Sequence, residues 1–318
     1  MVNKFTHGAV VADIGETHMR FAVVNSDRLT IEDYVQFGND VFASVKEALA
    51  AYLRSLPTFP PALAIAIANG GFLPSESERK PTAETVGEAL GFERIHVVDP
   101  LDALSLILPD LAQHDVVRLG RGEADAHATR AVLSVGAALG VGTLSQIGGS
   151  WTEFHAHGGS ISFAPQTQEE LDILERIRCD TDHVSVEHLL SGPGLGHLYE
   201  ILLESSGQPV RPLAAADVVT AGLQGGDRPA AAALSHFATW LGRFAGDMAL
   251  LYDARGGVYL WGPLLRKMES LLCKGTFRLA FEAKGRRSTW LSQIPVFLIR
   301  SEDAILRGAA KALAQKVG

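Results

Sequence analysis

Residues 10–24 read VVADIGETHMRFAVV, two apolar runs on either side of a polar turn that holds Asp13, Gly15, Glu16 and Thr17. The second run carries Arg20 ahead of Phe21-Ala22-Val23-Val24, and the pattern predicts a β-hairpin. A glycine turn with a carboxylate at its mouth suits a phosphate and a metal ion: backbone N–H groups face the phosphate oxygens, and Asp13 holds the hydrated Mg²⁺ that accompanies a nucleotide. Glu16 is discordant, because a carboxylate inside a phosphate cradle repels the anion it should hold.

Working outward, the chain has 318 residues, 47% hydrophobic and 20% charged, enough for two domains with a core each. A net charge of −8 gives no electrostatic basis for binding nucleic acid. The N-terminal MVNKFTHG lacks a signal pattern, and no apolar run is long enough for a membrane helix, so a cytoplasmic protein is expected. Cys179 and Cys273 stand far apart without a CxxC partner, which reads as two isolated thiols.

After the hairpin, a strand is expected at 34–37, an amphipathic helix at 41–56, a doubly buried strand at 63–68, a helix at 82–90, a strand at 95–98 and a helix through Leu108. This alternation indicates α/β architecture. Beyond an irregular stretch at 115–128, residues 131–144 repeat the plan of the opening hairpin, with Gly136-Ala137-Ala138-Leu139-Gly140 as the turn. Two such hairpins point to two related halves enclosing a cleft. Helices are expected at 169–178, 184–190, 195–204, 214–223, 229–251 and 304–315. Ser191-Gly192-Pro193-Gly194 reads as a break, residues 256–263 as loop, strand and loop, and 295–299 as a last strand.

Asp13-Ile14-Gly15 with Thr17 and Arg20, Ser185-Val186-Glu187 running into Leu190-Ser191-Gly192-Pro193-Gly194-Leu195, Gly242-Arg243-Phe244, and Phe281-Glu282-Ala283-Lys284-Gly285-Arg286 together make the chain resemble the bacterial glucokinase family. The resemblance runs along nearly the whole chain. It implies the actin-like ATPase (ribonuclease H-like) two-domain α/β fold with a central cleft, a small domain of residues 1–110 with about 300–318, and a large domain of 111–299. It also implies transfer of the ATP γ-phosphoryl group to the 6-hydroxyl of glucose, Mg-ATP as cofactor and a homodimer. On this reading Asp13, Gly15, Thr17, Arg20, Gly136, Gly140 and Gly262 lie on the nucleotide side, with Asp13 near Mg²⁺, and Glu187, His157 and Ser160 on the sugar side.

Many of those positions depart from the family pattern. Its Asp-x-Gly-Gly-Thr-Asn turn is here Asp13-Ile14-Gly15-Glu16-Thr17-His18, with bulk and negative charge where a phosphate approaches. Its base, the aspartate of Asn-Asp-Phe-x-Ala, falls on Pro100 within Asp99-Pro100-Leu101-Asp102-Ala103, and proline accepts no proton. Asp99 and Asp102 are the only nearby substitutes; the plain readings are a turn carboxylate and a helix N-terminal residue. The Thr-Asn-x-x-Trp segment has become residues 75–79, SESER, and Gly-Glu-Gly-Gly-His has become Ala156-His157-Gly158-Gly159-Ser160. The second phosphate turn has lost its threonine, and Trp261-Gly262-Pro263 replaces Ala-Gly-Gly. The expectation is a homologue whose hexose phosphorylation is lost or weak and which acts in binding or regulation. The alternative is an active sugar kinase with a repositioned base.

Two further clusters have simpler readings. Glu153, His155 and His157 alternate on an expected strand and share a face, a geometry in which imidazoles can chelate a metal, although polar lining suffices. Lys284, Arg286 and Arg287 read as a solvated loop. No G-x-S-x-G, HExxH or Walker pattern is present.

Overall fold

The computed structural model describes residues 8–15, 17–25, 29–67, 82–179 and 181–317. The chain divides into two compact units, Met1–Leu111 with Ser301–Gly318, and Ala112–Arg300.

In the first unit, β1 (Ala9–Ile14) and β2 (His18–Asn25) form the hairpin, and β3 (Thr30–Gly38) extends it. The helix α1 (Val45–Ser55) starts four residues later than its apolar pattern suggests, because the Ser44 hydroxyl accepts the Glu47 N–H and fixes the first turn there. Next come β4 (Ala62–Ile67), α2 (Ala83–Ala89), β5 (Arg94–Val98) and α3 (Pro100–Ile107). The sheet order is β3-β2-β1-β4-β5, with β4 parallel to both β1 and β5. Every residue of β1 and β4 is buried, as expected of parallel strands covered on both faces. Phe21 stacks on Tyr52 of α1, 5.5 Å between ring centroids, in the core on one side.

The second unit runs β6 (Val116–Arg118), β7 (Arg130–Val135), β8 (Leu139–Ile147), β9 (Ser150–Ala156), α4 (Gln168–Ile177), α5 (Gly192–Ser205), α6 (Ala215–Gln224), α7 (Arg228–Leu251), β10 (Val258–Trp261), α8 (Pro263–Lys267), α9 (Glu269–Leu272), α10 (Thr276–Glu282), α11 (Ser288–Ser292) and β11 (Val296–Ile299). The chain then returns to the first unit as α12 (Ala304–Val317). The second sheet is ordered β6-β11-β10-β7-β8-β9. Its β9-β8-β7 meander followed by parallel β10 and β11 repeats the β3-β2-β1-β4-β5 pattern. The two glycine-turn hairpins therefore occupy equivalent places in two sheets of one topology.

Four local expectations change. Ser191 is the N-cap of α5, its hydroxyl accepting the Gly194 N–H at 3.1 Å, so the Gly-Pro-Gly that reads as a break is the first turn of that helix. Residues 184–190 hold only a single 3₁₀ turn, Val186–His188. Pro263 opens α8 instead of a loop. His157 lies past the end of β9, so the alternation that would set it beside His155 stops at Ala156.

One buried polar cluster organises the second core. Glu170 is buried and accepts from Gln166 N–H, Trp240 Nε1–H and Arg243 Nη1. Burial raises its pKa, but the bonds from Arg243, Gln166 and Trp240 outweigh that and leave it below the usual carboxylate value.

Candidate functional site

The turn between β1 and β2 is closed by the Gly15 N–H donating to the His18 carbonyl at 3.0 Å, while Asn39 Nδ2 donates to the Gly15 carbonyl. Thr17 Oγ1 lies 2.8 Å from His18 Nδ1, so the hydroxyl is engaged by the imidazole that stands where the family has asparagine. Glu16 lies outside the described residues, as does the 75–79 segment. Asp13, at the end of β1, pairs in register with Arg20, whose Nη1 donates to Asp13 Oδ2 at 2.8 Å. Asp13 is only 3% exposed, and burial pushes its pKa up against the pull of that guanidinium. Arg20 Nε also donates to Gln36 Oε1, which accepts from Tyr34 as well. The carboxylate expected to hold Mg²⁺ thus already has a cation beside it.

At the end of β5, Asp99 is the N-cap of α3. Its Oδ1 accepts the Leu101 N–H at 2.8 Å. Pro100 is the first helical residue, where its missing N–H costs nothing and its fixed φ suits the helix. Asp102 completes the first turn, a position favourable to negative charge. Asp99→Ala should therefore lower stability by about 1 kcal/mol in urea unfolding. Asp99→Asn, which keeps the acceptor, should cost little, and neither change should alter hexose phosphorylation. A loss of activity specific to Asp99→Asn would instead make that carboxylate the base.

In the second unit, Gly136 N–H donates to the Ala138 carbonyl and the Gly136 carbonyl accepts from Gly192 N–H at 2.8 Å, which fastens the turn to the start of α5. Gly140, paired with Ser134, is the second residue of the outgoing strand β8. Glu187 reaches the same turn, its Oε2 accepting the Leu139 N–H at 2.8 Å. Ala137, Glu187, His188, Ser191, Pro193, Gly194 and His197 line a pocket of about 280 Å³. His157 and Ser160 are not among its lining residues. His157 precedes and Ser160 ends a 3₁₀ turn, Gly158–Ser160, and the Ser160 carbonyl lies 2.9 Å from His183 Nε2. His188 and His197 take the lining places instead. Position 197 follows Gly194 by one helical turn, and with α5 begun at Gly192 that spacing reveals the shared face.

Gly262 is fixed by contact: its φ is +146°, and a Cβ there would overlap the Val135 carbonyl oxygen. The preceding Trp261 ring has a buried Nε1–H with no acceptor among the described residues. Lys284 pairs with Asp247 at 2.5 Å, and Arg286 and Arg287 occupy an exposed 3₁₀ turn. Among the described residues no group of three or more His, Cys, Asp or Glu is arranged to hold a metal ion.

The family model described as Glucokinase matches residues 10–316. The chain belongs to the glucokinase family. A curated glucokinase from Tolumonas auensis is 32% identical over 313 residues, covering 97% of this chain and 98% of that protein. The crystal structure of a glucokinase from an Antarctic psychrotroph superposes with a TM-score of 0.85 at 30% identity, covering 97% and 99% of the two chains. A glucokinase from Balamuthia mandrillaris, solved in complex with glucose, shares the fold at a TM-score of 0.77 and 20% identity, covering 97% and 94%. The architecture is that of the actin-like ATPases. Within this glucokinase-family chain, one pocket of the second unit holds Glu187 beside the turn between β7 and β8.

Proposed function

We propose that this protein is a ligand-binding member of the glucokinase family whose ATP:hexose phosphotransfer is lost or residual. The observation that carries the reading is at the start of α3: Pro100 occupies the aligned place of the base, and the Asp99 carboxylate beside it caps the helix. General-base assistance is worth roughly 10²–10⁴ in rate, so its loss alone removes most activity. The residues also fit Mg-ATP poorly. Asp13 is already matched by Arg20, and Glu187 places a carboxylate on the Leu139 N–H of the second turn.

The competing reading, a working sugar kinase, is favoured by Asp102, a second carboxylate within the first turn of the same helix. A coupled assay with ATP, Mg²⁺ and a panel of hexoses separates them. The binding reading expects turnover far below roughly 1 s⁻¹, the low end of ordinary enzymes, and a rate at or above that value overturns it. The same reading makes the protein a cytoplasmic homodimer, for which light scattering should give twice the chain mass. No helix among the described residues is long and apolar enough to cross a membrane.

A further inference from the structure

Three strands of the second sheet, β7, β9 and β10, bring a large side chain each to one face. Arg130 opens β7, while its neighbour Ala131, like Leu133, points the opposite way into the helical core. Leu144 pairs with Arg130, and Gln146, two residues on, pairs with Trp151, which sets the indole on the arginine's face. Tyr259 pairs with Val132, again in phase with Arg130. The contacts follow that register: the Arg130 guanidinium carbon stands 4.7 Å from the Trp151 ring centroid. Burial pushes the pKa of the Tyr259 phenol up against the pull of the Arg130 cation. Gly256 lies against the arginine stem, where a Cβ would come within 2.7 Å of Cγ, so the side chain is held in place.

Arg130 is only 9% exposed, and its charge is unbalanced. Its Nε and Nη1 are buried without a hydrogen-bond partner, and Nη2 reaches only the Ala126 carbonyl, at 3.4 Å. Among the described residues no carboxylate pairs with the guanidinium, and the Tyr259 hydroxyl has no hydrogen-bond partner either. A lysine in such a place would shed its proton, but a guanidinium stays charged. A buried charge without a partner is strongly unfavourable, and the cation–π contact with Trp151 offsets only part of that cost. The orphaned nitrogens have no contact with solvent, so an ion that meets them gives up most of its water. One guanidinium and one hydroxyl replace that water for a small monovalent ion, but not for doubly charged phosphate or sulfate, whose desolvation costs far more.

We propose that Arg130 and Tyr259 form a binding site for a small monovalent inorganic anion of the halide class, bounded on one side by the Trp151 ring. Arg130 donates from Nε and Nη1, and Tyr259 from its hydroxyl. The Gly136 turn lies about 20 Å away along β7, so the site is separate from the Glu187 pocket and does not depend on whether the chain phosphorylates hexoses. Occupancy ties β7 to β9 and β10 and makes the stability of the second unit depend on the anion. Thermal unfolding of the whole chain, with chloride exchanged for methanesulfonate at constant ionic strength, tests it. In wild type each tenfold rise in chloride past saturation should raise Tm by roughly 3–5 °C. Tyr259→Phe should need several-fold more chloride for the same rise. Arg130→Met should lose the dependence and, at low chloride, melt at or above wild type, because no buried charge is left unpaired. Sulfate and phosphate should raise Tm equally in wild type and Arg130→Met, through exclusion from the surface alone. Bromide should quench a saturable fraction of the tryptophan fluorescence, and that fraction should be absent from Trp151→Phe. The same chloride dependence in wild type and Tyr259→Phe, or bromide quenching that Trp151→Phe leaves unchanged, overturns the proposal, and both readouts hold even if Arg130→Met does not fold. A sulfate or phosphate effect larger in wild type than in Arg130→Met overturns the halide class.

Discussion

Pro100→Asp is expected to raise hexose phosphorylation by roughly two to three orders of magnitude over the parent chain, within the range that a positioned general base supplies. The site should accept the change. The first helical position tolerates residues other than proline, and a carboxylate in the first turn interacts favourably with the helix dipole. Asp99 remains as the cap, since its bond to Leu101 N–H does not involve the side chain at position 100. The measurement is kcat/KM in the coupled assay, with the parent and Pro100→Ala as references. Flat activity in Pro100→Asp would show that the missing base is not what limits the reaction. Adding Glu16→Gly then separates the causes, because a rise only in the double variant places the deficit in the first phosphate turn.

Gly308→Ala is expected to destabilise the first unit by about 3 kcal/mol or more. Gly308 lies on α12 against α3, and a Cβ there would stand 2.5 Å from the carbonyl carbon of Ala103 and closer still to its oxygen. Helix propensity favours alanine by about 1 kcal/mol, which would stabilise an exposed site. Here the obstacle is helix backbone, which cannot rotate aside, so the two helices must separate and the steric effect wins. The readout can be made specific to the unit. The four tryptophans, Trp151, Trp240, Trp261 and Trp290, all fall within residues 112–300. In urea, far-ultraviolet circular dichroism should show an early loss that tryptophan fluorescence does not follow. Unchanged stability would mean that α3 and α12 have room to part at little cost.

The architecture was legible because its signals are local and repeated. Both hairpins follow from apolar runs around a glycine turn, and the unbroken apolar run at 62–67 is buried on both faces. Helix starts were harder to read. Ser44 and Ser191 set the first turns of α1 and α5 through side-chain bonds that an apolar pattern does not contain, so the first helix was expected too early and the second too late. The pocket lining was hidden for the same reason. With α5 expected from Leu195, Gly194 and His197 shared no helical face, and nothing marked His188 as a partner of Ser185 N–H. The pairing of Asp13 with Arg20 depends on hairpin register, which the three-residue turn fixes and composition does not. Pro100 was visible at once, since a base aspartate and a proline differ in the sequence itself.

The route of the chain also sets an order of completion during synthesis. Residues 112–300 are contiguous, so the second unit has all its strands and helices as soon as that stretch has emerged. The first unit starts earlier and finishes later: α12, which packs on α3, β1 and β4, is made only after the whole second unit. Until then the buried strands β1 and β4 lack one of their covering helices. The nascent first unit therefore spends the translation time of the whole second unit with that surface uncovered, some ten to forty seconds at usual elongation rates. A ribosome-stalled chain in which a flexible linker replaces α12, long enough to carry residue 300 clear of the ribosome, should accordingly resist protease in its second unit and be cleaved in its first.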